Sequence, residues 1–117
     1  RVFEHAHDLP AARTNINRAI AAAPDDPSLR LAAAWLALEA RAEQTALEHV
    51  HAGLEIETEP YRRGQLLVCG ARAADPARKA SWLDDLDRHQ CDGVEELRRR
   101  ARRRAPLKTN LLMADAF

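Results

Sequence analysis

At 117 residues the chain has room for one domain built on one core. Its 18 basic and 18 acidic residues cancel, which excludes a whole-molecule field drawing it to nucleic acid or an anionic membrane. Alanine fills 24 positions and aromatics only 4%, a composition suited to helices and not to a sandwich or barrel. The longest mainly apolar stretch, Leu29 to Leu38, contains Arg30 and is too short to span a bilayer.

Pro and Asp divide the chain into segments of helical length. Residues Arg1–His7 read as the tail of an earlier helix. Helices are then predicted near Pro10–Ala23, Ser28–Ala42, Thr45–Ile56, Pro60–Ala74, Pro76–Gln90 and Gly93–Ala105, with one more short turn over Asn110–Ala116. Asp26-Pro27 and Asp75-Pro76 each place a capping carboxylate before a proline, whose missing N–H costs nothing in a first turn. Glu59-Pro60 does the same, with the acid at the positive helix end. Asp92-Gly93-Val94-Glu95 has the spacing of a capping box, and Pro106 ends the last helix. Connections of two to five residues suit antiparallel neighbours, and no segment alternates with the period of a strand. The chain is expected to be all-α.

The second predicted helix is apolar nearly all round. Leu31, Ala34, Trp35 and Leu38 make one stripe, and Leu29, Ala32, Leu36 and Ala40 a second, so neighbours are expected on two sides. The third has a narrower stripe, Ala46, Val50, Gly53 and Leu54, flanked by His49 and His51. Ala12, Ile16, Ala19 and Ile20 recur 34 residues later as Ala46, Val50, Gly53 and Leu54, and a further step of 34 reaches Ala80 in a looser register.

This pattern resembles the tetratricopeptide repeat (TPR), a helix–turn–helix of 34 residues, or a related helical-hairpin repeat. The second-helix signature stands as Ala12, Ile16, Ala19 and Pro24, with Phe3 at the place of the first-helix aromatic. The next unit keeps Ala46 and Val50 but has Gly53 for Ala, and Trp35 falls where a small residue is expected. Leu66, Cys69 and Gly70 imitate the Leu-Gly pair in a shifted frame. The resemblance implies stacked antiparallel hairpins, an α-solenoid of about two and a half degenerate repeats over residues 1–90. A basic capping helix over 91–105 and an apolar tail over 106–117 follow. Ala12, Ala46 and Ala80 are expected where paired helices approach closely. It also implies a concave groove for a peptide or partner helix, lined here by Leu31, Trp35, Leu38, Arg62, Gln65, Cys69 and Arg72. Trp35 is then either the groove's anchor or part of the core. The Lys and Asn set with which some members clamp a peptide's terminal carboxylate is missing.

The densest charge is Arg98–Arg100 and Arg102–Arg104. Arg98, Arg99, Arg102 and Arg103 are candidates for an anionic partner, as phosphate contacts or as an acidic protein surface. Cations near a helix C-terminus also complement its dipole, and no aromatic is interleaved for base stacking. His5-x-His7 and His49-x-His51 diverge by about 200° within a helix, so neither pair chelates one ion. Cys69 and Cys91 lack CxxC spacing, and Cys69 is expected to pack as a small apolar residue. No metal or cofactor site is expected. No nucleophile motif or Gly-rich turn points to catalysis, so the chain is not expected to be an enzyme.

The expected role is therefore a protein-interaction scaffold, part of a larger, bacterial protein on its Ala/Arg-rich composition. Alternatives are nucleic-acid or phosphate binding through Arg98–Arg104, or a docking segment of an enzyme whose catalytic domain lies elsewhere. Self-association is open through the N-terminal face at Val2 and Phe3, or through the tail carrying Leu107, Leu111, Leu112, Met113 and Phe117. Reduced thiols favour the cytoplasm.

Overall fold

The computed structural model describes residues 8–103, so expectations placed on Val2, Phe3, His5, His7, Arg104, Ala105 and the tail lie outside it. Over the described residues the chain is helical without a strand: α1 Leu9–Ala22, α2 Pro27–Glu39, α3 Glu43–Ile56, α4 Pro60–Ala73, α5 Pro76–Arg88 and α6 Val94–Arg102. No helix among them is long and apolar enough to cross a membrane.

The punctuation places most helix starts. Asp26 Oδ1 accepts from the Ser28 N–H at 3.0 Å, Glu59 Oε1 from Arg62 N–H at 2.8 Å, and Asp75 Oδ1 from Arg78 N–H at 3.0 Å. Each acid takes up an orphan donor of a first turn that opens on proline. Asp8 does the same for α1, accepting from Ala11 N–H at 3.3 Å. The expected capping box at Asp92 does not form. Gly93 is the cap residue of α6 instead, in the left-handed region at φ 82°, with no side-chain cap bond. A Cβ at Gly93 would also stand 3.2 Å from the Tyr61 ring.

Helix α2 ends earlier than predicted. Arg41 takes φ 62°, Arg41 N–H donates to Leu38 O at 3.0 Å and Ala42 N–H to Ala37 O at 2.8 Å. That pair of bonds is a Schellman motif with arginine at the position glycine usually takes. The sequence carries no Gly or Pro there to announce it.

The core lies between α2 and α4. Leu31, Ala34, Trp35, Ala37 and Leu38 of α2 meet Leu66, Leu67, Val68, Cys69, Ala71 and Ala73 of α4 in one buried cluster. It also takes in Ala46 and Val50 of α3, Leu86 of α5, and Leu97 and Ala101 of α6. Consecutive helices pack on one another, and in addition α2 packs on α4 and α4 on α6. Helices α4 and α6 run in the same direction. Tyr61 stands beside Gly93, a Cβ at Gly64 would lie 2.6 Å from Leu97, and Arg72 Nη1 donates to Arg100 O at 3.2 Å.

Small residues permit the close approaches, though not always those expected. Ala46 is fully buried, Ala12 is half-buried on α1, and Ala80 is exposed. The contact expected at Ala80 is made instead by Gly70, where a Cβ would run into the Trp82 ring of α5. Gly53 is similarly confined, its Cβ position 3.0 Å from Leu66 and 3.2 Å from Arg30.

A buried polar knot fixes the turn from α3 to α4. Glu57 is only 3% exposed and accepts from Glu59 N–H at 3.0 Å and Arg62 Nε at 2.8 Å. Burial opposes its charge, but these hydrogen bonds outweigh it and hold the carboxyl below its usual range. Arg63 Nη1 donates to Leu54 O and Glu57 O, satisfying carbonyls at the end of α3.

Candidate binding groove

The structure does not gather the seven groove residues expected from sequence onto an open surface. Leu31, Trp35, Leu38, Gln65 and Cys69 are each 4% exposed or less, so their side chains form the α2–α4 core and offer no area to a partner. The apolar stripe that suggested an anchor is the stripe that α4 covers. Burial also pushes the Cys69 thiol well up, away from a reactive thiolate. Arg62 is exposed but engaged with Glu57, and Arg72 is half-buried against the Arg100 carbonyl.

The basic helix is likewise turned largely to internal use. Arg98 donates to the carbonyls of Leu86, Asp87 and His89, at 3.4, 2.9 and 3.1 Å, closing the C-terminal end of α5. Arg102 Nη2 reaches both oxygens of Asp87 at 3.1 and 2.8 Å. These contacts lay cations on the negative end of a neighbouring helix. Arg99 pairs with Glu96, and Arg103 lies 3.9 Å from the same carboxylate. Arg100 is buried, 8% exposed, and bonds Glu96 at 3.1 Å. Arg98 and Arg102 therefore tie α6 to α5, which leaves them poor candidates for phosphate.

An open groove does exist, on the other side of the molecule. It has a volume of about 750 Å³ and runs between α3 and α5 over the C-terminal end of α4. One wall is Leu47, His51 and Leu54 of α3; the other is Trp82 and Ser81 of α5; Leu67 and Ala73 of α4 lie beneath. Its size is that of pockets holding small ligands or a few partner side chains.

Trp82 is the one tryptophan lining this groove. Its ring is seated against α4 because Gly70 has no side chain to hold it off. The His51 ring also stands 5.4 Å away, centroid to centroid, with the planes tilted by 47°, an ordinary aromatic contact. Trp82 is half-exposed, so part of the indole faces the groove. The rim is polar: Glu43, Asp75 and Asp85 supply carboxylates and Arg78 a guanidinium. Asp75 is spent on capping α5, and Asp85 pairs with Arg88 at 2.6 Å.

His51 and His49 point to different neighbours. His51 lies on Trp82, whereas His49 Nδ1 meets Arg30 Nη1 at 3.2 Å. The arginine is the donor, so His49 is the acceptor there. Burial and the nearby Arg30 charge push the His49 pKa down from its ordinary value.

Sequence reading missed Leu47, Trp82 and Arg78 as groove residues. A usable signal was present. Trp82 is the one aromatic of α5, a helix otherwise rich in charge, and such a helix cannot close over an indole from every side. The chain matches no protein-family model, no curated protein and no solved structure.

Proposed function

We propose that this chain is a protein-interaction scaffold whose partner inserts apolar side chains between α3 and α5, against Trp82. One observation carries the reading: a half-exposed tryptophan in contact with a glycine of α4 and a histidine of α3, in an open groove with apolar walls and a polar rim. Exposed aromatics with a rigid backing are a common form of binding hot spot. A partner helix entering such a groove presents apolar residues at i, i+3 or i+4.

The architecture we propose is the stacked helical hairpin of the TPR kind, with α2–α3 and α4–α5 as hairpins, α1 as the second half of a preceding one and α6 as a cap. The packing of α2 on α4 and of α4 on α6, with α4 and α6 running the same way, supports it. So does the placing of Ala46 and Gly53 at close helix contacts. The role is binding, without chemistry of its own. It differs from the usual arrangement in its surface, because the groove lies between the second helices of successive hairpins.

The test is selection of peptides from a random library on the full chain, followed by affinity measurement on variants. The reading expects selected peptides to lose at least tenfold in affinity with Trp82→Ala and to be indifferent to Arg99→Ala. Peptides indifferent to Trp82→Ala, or bound with a steep loss on adding salt, would overturn it in favour of another surface.

A further inference from the structure

We infer that the groove between α3 and α5 takes a cationic amphipathic segment of its partner, with Lys or Arg on both sides of an apolar run. This names the partner's chemistry and rests on the reading that the groove is a binding surface. The whole chain is neutral, but its charge is not spread evenly. Helix α3 carries Glu43, Glu48 and Glu55 and no Lys or Arg. All three carboxylates are exposed. Glu43 lines the groove, and Glu48 and Glu55 stand one turn beyond Gln44 and His51, which line it too. From α5 come Asp75 and Asp85 against one cation, Arg78.

The acids stand at the two ends of the apolar walls. Lys79 Nζ donates to Ala71 O, and a Cβ at Gly70 would meet Trp82, so α5 runs antiparallel to α4. Arg63 Nη1 donates to Leu54 O, and a Cβ at Gly53 would meet Leu66, so α3 does the same. The two walls are therefore parallel, and they are level at the His51–Trp82 contact. Glu43 lies eight residues before His51 and Asp75 seven before Trp82, so both stand at one end of the groove. Asp85 lies three residues after Trp82, at the level of Leu54. Asp75 and Asp85 are ten residues apart, about 15 Å along a helix. An apolar run of that length lays its side chains on Leu47, Leu54 and Trp82 and its flanking cations at the carboxylates. A cation over the half-exposed indole also gains from the negative face of the ring.

The carboxylates are open to such a partner. Asp75 uses Oδ1 on the α5 cap, and a carboxylate has further acceptor positions. The Asp85–Arg88 pair is exposed on both sides, so solvent screens it and a second cation can share Asp85. An acidic or phosphorylated segment would meet like charge at both ends.

The peptide selection on the full chain tests this. Peptides that lose affinity with Trp82→Ala should carry net positive charge, with Lys or Arg flanking their apolar residues. Exchanging those basic residues for Glu should weaken binding about tenfold or more, since each exposed pair contributes a factor of up to about five and reversal adds repulsion. Arg78→Glu supplies the opposite sign. Residue 78 lies three beyond the Asp75 cap, so Glu there completes a capping box and α5 keeps its start. This variant should bind the basic peptides severalfold more tightly, a gain that misfolding does not give. Added salt should slow their association a few-fold and leave dissociation nearly unchanged. Trp82-dependent peptides that are neutral or acidic, or that bind Arg78→Glu no better, overturn the inference while leaving the groove reading intact. Self-association of the chain that Trp82→Ala abolishes assigns the groove to a second copy and overturns it as well. Peptides indifferent to Trp82→Ala overturn the groove reading itself.

Discussion

The two tryptophans lie in helices of opposite character, and their fates differ accordingly. Trp35 stands on α2, where nearly every position is apolar, and it is 3% exposed between α2 and α4. Trp82 stands on α5, a helix dominated by charge, and it keeps part of its ring open to the groove. A large aromatic in an apolar helix has apolar neighbours available on all sides and is covered by them. The same residue in a polar helix has one apolar partner surface, here Gly70 of α4, and the remaining face is left for something else. The residue that looked most like an anchor is core, and the plainer one faces the groove.

The sharpest way to break this comparison is to remove each ring in turn. Trp35→Ala should cost about 3–5 kcal/mol in urea unfolding, the range for a large aromatic deleted from a packed core. Trp82→Ala should cost clearly less, and a reversed order would contradict the assignment of core and groove. Trp35→Phe refines the point. The buried Trp35 Nε1 has no hydrogen-bond partner among the described residues, so losing that N–H should change stability by less than the alanine replacement by a wide margin.

Next in size is Gly70→Ala. The new methyl meets a rigid ring and not a flexible chain end, so α5 has to shift or the indole has to leave its seat. A cost of about 1–3 kcal/mol is expected, typical of overpacking, together with weaker binding of groove-selected peptides. Retained stability and affinity would show that Trp82 is not held by α4.

Much of the fold was legible because its signals are local. Asp26, Glu59 and Asp75 before prolines marked three helix starts that the structure shows capped as read. The inward face of α2, through Leu31, Ala34, Trp35 and Leu38, followed from spacing alone. The groove was not legible, since it depends on which helix covers which stripe, and that is a property of pairs. Periodicity showed that α2 has two apolar sides without showing that α4 takes the better one. The basic cluster misled for a related reason. Arg98 and Arg102 read as free charge until the end of α5 is placed beneath them.

A smaller effect is expected at the end of α2. Arg41 holds a left-handed conformation that costs a residue with a Cβ about 1 kcal/mol relative to glycine. Arg41→Gly should therefore raise stability by up to about 1 kcal/mol, partly offset by the looser unfolded chain. A loss on this substitution would mean that the arginine side chain contributes more than its strain.

The least effect concerns pH. The folded pKa of His49 lies below its ordinary value, through burial and the Arg30 charge, so the unfolded chain takes up the proton first. Its contribution is complete above about pH 6.5 and is lost as pH falls through that value toward the folded pKa. His49→Gln should remove that part of the stability–pH profile. The acid loss due to Glu57 lies lower, below its ordinary carboxylate range, and should remain.

The contrast between core and groove is tested most directly by 19F NMR of the full chain labelled with 5-fluorotryptophan, titrated with a library-selected peptide. Two resonances are expected, and the one lost in Trp82→Phe should move or broaden with peptide while that of Trp35 stays in place. Movement of the Trp35 signal with Trp82 unperturbed would contradict the account and return the binding surface to α2.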